Sequence, residues 1–324
     1  MRAAKASGPP LRYYGSKTAE ADEKRGVVED TEGRVAAQGF SREESRGLSA
    51  DRAVCPICPH ACALAEGQTG LCRARVAEGG QVVDANYGRI TSLALDPIEK
   101  KPLARFRPGS KVLSVGSYGC NLRCPFCQNG NLVQHPEWEP VIPEEEIFAV
   151  LEKRRGVLDG VCVTGGEPTL DPDLERFVTK IKELGYLVKL DTNGYRPEIL
   201  KKLVEEKKID YVAMDIKNAP SRYGETAGVK KIDVMRINES VEFLKSGVVD
   251  YEFRTTLCQE LHGREEIEAI GKWLSGAKRY FLQNYRKSDY VIDPRFSGYA
   301  REQLERFCEI LRGKIETVEI RGVD

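Results

Sequence analysis

Cys120, Cys124 and Cys127 stand in the stretch GCNLRCPFCQN, residues 119–129, with the spacing C-x3-C-x2-C. A loop of that spacing can wrap a cubane iron–sulfur cluster and give one thiolate to each of three irons. Such clusters ordinarily take four cysteines, so a set of three leaves one iron with an open position. An open position distinguishes catalytic metal centres from structural ones, which protein ligands close. The spacing therefore points to a cluster that binds a substrate or cofactor directly. A zinc site completed by a distant residue such as Cys162 is the competing reading. Upstream, Cys55, Cys58, Cys62 and Cys72 form C-x2-C-x3-C-x9-C with His60 inside. Four thiolates make a closed set, structural or electron-transferring. Zinc, a second iron–sulfur cluster, or a set in which His60 replaces one cysteine all satisfy it, because thiolates serve both metals.

Three further motifs follow the cysteine loop. TGGEP (164–168) offers Gly165 and Gly166, where backbone groups can approach a ligand closely, and Glu167, whose carboxylate or backbone could receive an ammonium. LDTNG (190–194) and MDIK (214–217) put Asp191 and Asp215 at neighbouring strand ends, with Lys217 as a cation beside them. Each motif alone reads as a turn or a solvated charge. Their succession on consecutive strand ends reads as a site.

The elements that must position these residues alternate from about residue 109. KVLSVGS (111–117), GVCVT (160–164), YLVKLD (186–191), DYVAMDIK (210–217), DYEFRTTL (250–257) and RYFLQN (279–284) read as strands. Helices fall between them. One covers 143–156, with Pro143 in its first turn and Gly156 after it. Another covers 171–185, with Asp171 as cap and Leu174, Phe177, Val178, Ile181 and Leu184 on one face. Others cover 197–208 and the stretches REEIEAIGKWLSG and AREQLERFCEILRG, SVEFLKSG reads as the end of a helix, and ETVEIRG adds a final strand. About six βα units predict an α/β fold, a partial TIM-like (β/α)6 barrel with active groups at the C-terminal strand ends. Residues 53–108 read as a small four-cysteine metal-binding segment and connector ahead of the 109–324 barrel. Residues 1–52, with 10 basic and 9 acidic residues and no periodic apolar face, read as a disordered or loosely attached tail.

Lys+Arg and Asp+Glu balance at 50 each in 324 residues, so no global basic field draws the chain to nucleic acid or an anionic membrane. No apolar run is long enough to span a bilayer and no apolar leader opens the chain. Seven of the ten cysteines lie in two tight clusters, a pattern of metal binding in a reducing compartment; a cytoplasmic protein is expected. Cys162 and Cys308 read as core residues, and Cys258 as core or as a group facing the site.

C-x3-C-x2-C, GGEP, DTNG and D-x-K in this order resemble the radical S-adenosylmethionine (SAM) superfamily, and more narrowly the glycyl-radical-enzyme activases. CVTGGEPTL, LVKLDTNG, YVAMDIK and YEFRTT are most similar to anaerobic ribonucleoside-triphosphate reductase activating proteins, over about residues 110–324. CPHACALAEGQTGLC and DPIEKKPL resemble instead the radical SAM branch associated with AMMECR1 and Memo proteins. The resemblance implies a [4Fe-4S] cluster on Cys120, Cys124 and Cys127, its fourth iron taking the amino and carboxylate groups of SAM. It implies that Gly165, Gly166 and Glu167 contact the methionine ammonium, and that Lys217 and Arg254 contact SAM, Lys217 at its carboxylate. It further implies that Asp191, Thr192 and Asp215 help hold a monovalent cation. Phe126 and Asn129 flank the cluster and would shape the adenosine pocket; Tyr285 stands where some relatives carry a His and is left unassigned. Reductive cleavage of SAM would yield a 5′-deoxyadenosyl radical that takes hydrogen from a glycine of a partner glycyl-radical enzyme, with a flavodoxin or ferredoxin as electron donor. Radical SAM modification of a small molecule, peptide or non-glycyl protein is the alternative, and a non-catalytic metal-binding or electron-transfer protein the third reading.

Overall fold

The computed structural model describes residues 52–85, 90–97, 111–134, 142–289 and 291–323. The tail expected over residues 1–52 lies, but for Arg52, outside them. Two short hairpins come first: β1 (Ala53–Val54) with β2 (Ala63–Leu64), and β3 (Arg75–Glu78) with β4 (Gln81–Asp84). Gly79 and Gly80 form the tip of the second, with φ of +59° and +74°, the left-handed pair that a two-residue hairpin turn requires. One sheet then holds β5 (Ile90–Pro97), β6 (Lys111–Ser117), β7 (Gly160–Gly165), β8 (Leu187–Thr192), β9 (Tyr211–Asp215), β10 (Asp250–Leu257), β11 (Arg279–Asn284) and β12 (Thr317–Arg321), in sequential order. From β6 onward every neighbour is parallel; β5 runs antiparallel to β6.

The helices are α1 (Gly130–Gln134), α2 (Glu144–Lys153), α3 (Leu174–Glu183), α4 (Pro197–Glu205), α5 (Tyr223–Thr226), α6 (Val234–Lys245), α7 (Arg264–Trp273) and α8 (Arg301–Leu311). They bury their apolar stripes on the sheet: Leu174, Phe177, Val178 and Ile181 of α3, and Leu200, Leu203 and Val204 of α4. The terminal strands β5 and β12 are not paired with each other among the described residues, so the sheet is a partial barrel, as expected. None of the described helices is long and apolar enough to cross a membrane.

Two local readings change. α3 begins at Leu174 rather than just after Asp171, because Glu167 first caps a 3-10 turn over Pro168–Leu170; the Asp171 carboxylate accepts from the Asp173 N–H at 2.9 Å instead of capping α3. The segment read as a connector supplies β5, the edge strand of the sheet.

The cysteine-rich segment is docked onto the barrel. Arg75 is 2% exposed, pairs with Asp84 and donates to the carbonyl of Leu170. Tyr118 OH donates to the Ala85 carbonyl, and the Cys120 N–H donates to the Cys72 carbonyl at 3.2 Å. Asp84, Asp171 and Asp173 crowd this joint. Burial pushes the Asp171 carboxyl up to about 6, and Asp84 and Asp173 add to the rise. Asp171 is thus more readily protonated folded than unfolded, so its contribution favours the folded state in acid and is lost as pH rises through about 6. In Asp171→Asn that loss disappears. Denaturant unfolding of both proteins between pH about 4 and about 7 should show the variant gaining about 1–2 kcal/mol relative to wild type as pH rises. A difference constant across that range would overturn the account.

Candidate active site

Parallel strands end at the same edge, and the pairing puts the motif residues level there: Ser117 opposite Gly165, Thr192 opposite Met214, Asp215 opposite Arg254. A cavity of about 350 Å³ opens at that edge. Its walls carry Cys120, Cys124, Cys127, Gly165, Gly166, Glu167, Asp191, Thr192, Asp215, Lys217 and Arg254, the whole barrel set singled out from the sequence. The cysteine loop leaves β6 through Gly119 at φ +88°. Leu122 N–H donates to Cys120 Sγ at 3.4 Å, Asn193 Nδ2 approaches the same sulfur at 3.9 Å, and the Cys127 N–H closes a turn on the Cys124 carbonyl at 3.0 Å. Burial drives all three thiols upward, Cys124 to about 12, against the opposing pull of Lys217. Thiols so raised keep their protons until a cationic centre takes them as thiolates. As they stand, no three His, Cys, Asp or Glu side chains among the described residues converge on a single metal ion. Three sulfurs from one loop, with N–H donors close by, are the donor set that a multi-iron cluster with an open position takes. Cys162, the alternative fourth ligand, lies within β7, fully buried, its sulfur 3.8 Å from Lys189 Nζ, and is not part of the cavity wall.

The glycines of TGGEP answer to backbone packing. A Cβ at Gly165, which has φ +114°, would overlap the Ser117 backbone, and one at Gly166 would overlap the Gly119 carbonyl. The closeness allows Gly166 N–H to reach the Ser117 carbonyl at 2.9 Å and Glu167 N–H the Gly119 carbonyl at 2.8 Å, fastening the turn to the cysteine loop. Glu167 is 2% exposed. Its Oε1 accepts from the Thr169 N–H at 3.1 Å and from the hydroxyls of Thr169 and Thr192 at 2.6 and 2.8 Å; its Oε2 accepts from the Asn193 N–H at 2.7 Å. Those bonds fill Oε1 and one position of Oε2, so the backbone of the turn is the part best placed to meet an ammonium.

Opposite, charges alternate. Arg254 pairs with Asp215 through Nε and faces Asp191 Oδ2 at 3.4 Å; Lys217 Nζ lies 2.9 Å from Asp215 Oδ2. Burial works against the Asp215 charge, yet Arg254 and Lys217 bring its carboxyl below the usual range. Phe126 is buried edge-on to Phe296 and His262, and Asn129 Nδ2 donates to the Gly165 carbonyl at 3.2 Å; both line the cavity. Cys258 is buried outside it, its N–H bonded to His262, and Cys308 is buried on α8. Tyr285 is buried too and lies away from the wall. Sequence reasoning missed Asn193, Thr256 and Gln283, which also line the cavity. The last two sit one place from the C-terminal ends of β10 and β11, and that position was the available signal.

The sequence profile of the radical SAM superfamily matches residues 114–258. A putative glycyl-radical enzyme activating enzyme of Methanocaldococcus jannaschii is 31% identical over 218 residues, 64% of this chain and 87% of that protein. A 7-carboxy-7-deazaguanine synthase of Koribacter versatilis is 29% identical over 48% of this chain and 66% of its own length. Among solved structures, Streptococcus suis SuiB bound to S-adenosylmethionine superposes with a TM-score of 0.50 at 18% identity, covering 63% of this chain and 48% of that one, a likeness of fold.

Gly166→Ala should cost about 3 kcal/mol or more, or prevent folding, because the added methyl meets backbone that cannot yield. Gly156→Ala, at φ +73° with nothing within 4 Å, should cost only about 1 kcal/mol. Thermal and denaturant melts of the pair check this, and equal losses would sink the packing argument.

Proposed function

The chain belongs to the radical SAM superfamily, a membership that implies a [4Fe-4S] cluster and SAM, and on that premise we propose that Cys120, Cys124 and Cys127 hold the cluster and that the cavity holds SAM. The observation that carries this is the gathering of three thiols, the TGGEP turn, and the cations Arg254 and Lys217 on one cavity wall. When bound, the reduced cluster and SAM supply a one-electron bond cleavage that yields a carbon radical able to take a hydrogen atom. The protein's part is to bind, orient and exclude water. The Gly165–Glu167 backbone would accept the ammonium of SAM. Lys217 presents a compact ammonium, and Arg254 a guanidinium, to its carboxylate. Phe126 walls the cluster side with an apolar ring, and Asn129 offers a polar edge for the adenosine.

For the substrate, the proposed reading is a glycyl-radical enzyme whose glycine this protein activates, with a flavodoxin or ferredoxin supplying the electron. The putative activating enzyme of M. jannaschii supports it, matched over 87% of its length. A second reading, radical modification of a small molecule, is favoured by the likeness to 7-carboxy-7-deazaguanine synthase. Cys55, Cys58, Cys62 and Cys72 are proposed to hold zinc or a second iron–sulfur cluster. The Cys55 N–H bonds to the Cys62 carbonyl at 2.9 Å at the mouth of the β1–β2 hairpin, and Cys58 packs against the cluster of Cys72, Ala74 and Leu170.

Anaerobically reconstituted protein given SAM and dithionite should form 5′-deoxyadenosine, and Cys124→Ala should lower the yield by at least about a hundredfold, no less than the loss of a partner that merely orients a metal ligand can cost. Wild-type protein with a full cluster complement and no product would count against the proposal.

A further inference from the structure

The resemblance seen in the sequence implies a monovalent cation on Asp191, Thr192 and Asp215, and the structure gives each of those oxygens a different partner. Asp191 Oδ1 pairs with the ammonium of Lys189, while its Oδ2 accepts from the Thr164 hydroxyl at 3.0 Å and faces Arg254 Nη2 at 3.4 Å. Asp215 Oδ1 pairs with Arg254 Nε, and Oδ2 with Lys217 Nζ at 2.9 Å. The Thr192 hydroxyl donates to Glu167 at 2.8 Å and accepts from the Gly194 N–H at 3.1 Å. A metal cation entering here would displace these partners and sit among three positive side chains. The residues do not fit the ion.

We infer that this chain supplies its own cation: the ammonium of Lys189, enclosed beneath Asp191, takes the place the resemblance gives to a monovalent metal ion, and SAM binding here is independent of sodium and potassium. Lys189 lies on β8, 2% exposed, with Cys162 Sγ 3.8 Å from its nitrogen on the neighbouring strand. It shares a face of the strand with Asp191, two residues on, and is not itself part of the cavity wall. It is therefore a positioning residue. It fixes one oxygen of Asp191, which leaves the other to hold Thr164 and Arg254. Arg254 and Lys217 then face the cavity, where a ligand carboxylate would pair with them. A fixed ammonium needs no dehydration when ligand binds, whereas a dissolved metal ion must be recruited from solvent.

The inference rests on the reading of the cavity as a SAM site, and the experiment separates the two. Equilibrium SAM binding is measured on cluster-loaded protein in about 0.1 M potassium, sodium or tetramethylammonium chloride, the last too bulky for such a site. Wild-type affinity should differ by less than about twofold among the salts, and Lys189→Arg, which keeps the charge, should behave likewise. Lys189→Met should bind about tenfold more weakly in tetramethylammonium and recover in potassium or sodium, as the metal enters the vacated pairing. A wild-type affinity that rises tenfold on adding potassium would overturn the inference. So would a Lys189→Met protein indifferent to the salt, whether its binding is intact or lost. Should Lys189→Met not fold, the wild-type and Lys189→Arg comparison decides alone. Absence of SAM binding in every salt would overturn the site reading itself, and the inference with it.

Discussion

One buried carboxylate governs the geometry of this site. Glu167 is held away from water, and a charge so placed is tolerable only when its oxygens are satisfied. The partners come from its own 3-10 turn, through Thr169, and from the end of the next strand, through Thr192 and Asn193. Its backbone N–H is fastened to Gly119, which leads into the cysteine loop. Three segments distant in sequence are thereby locked level with one another. Misplacing any of them leaves a buried acceptor or donor unpaired, at about 1–3 kcal/mol each. The positions of Gly165 and Gly166 follow from the same demand, since the strand ends can approach this closely only where no Cβ intervenes.

The interior behind that junction is ionic where a parallel barrel is usually filled with branched apolar side chains. Lys189, Asp191, Arg254, Asp215 and Lys217 run in alternating sign across β8, β9 and β10, while Val188 and Leu190 of β8 turn to the helices. Opposite Ala213, Glu252 is fully buried, taking the Tyr211 hydroxyl at 3.0 Å and the guanidinium of Arg321 at 3.0 Å; Arg321 lies over the Phe281 ring at 3.2 Å. Such a column gains little stability against an apolar equivalent of the same volume. Its value lies in orientation. Each charged group is fixed by the next, so the cations at the cavity wall are aimed before any ligand arrives.

Much of this was legible in the sequence, and the exceptions have physical causes. The strands over 111–117, 250–257 and 279–284 emerged at their predicted limits because their apolar runs end in Gly, Asn or charged turns. β5 was not legible: an edge strand meets only one neighbour, and the sequence ITSLALDP mixes Ser, Asp and Pro with its apolar residues; its bulge near Ser92 blurs the alternation further. The start of α6 was missed because its cap, Asp233, whose carboxylate accepts from the Met235 N–H, follows the polar stretch of Lys230 and Lys231. Lys189 carried a readable signal that went unused. In YLVKLD it alternates with Leu and shares a face with Asp191, and a strand covered on both sides can bury a lysine only against an acid.

The cysteine-rich segment is the part whose role the sequence order conceals. It precedes the barrel in the chain, yet it packs against the loop that carries Cys120. The Cys72 carbonyl receives the Cys120 N–H, Arg123 donates to the Leu71 carbonyl at 3.1 Å, and His60 Nε2 lies 2.6 Å from the Asn121 carbonyl. The residue after Cys72, Arg73, is held at φ +63°, a conformation costly for a side chain with a Cβ and therefore imposed by its surroundings. The Cys72 carbonyl thereby ties the four-cysteine segment to the first thiol of the C-x3-C-x2-C loop. The two cysteine sets are consequently not independent modules on one chain. The backbone that carries Cys72 holds the backbone that carries Cys120.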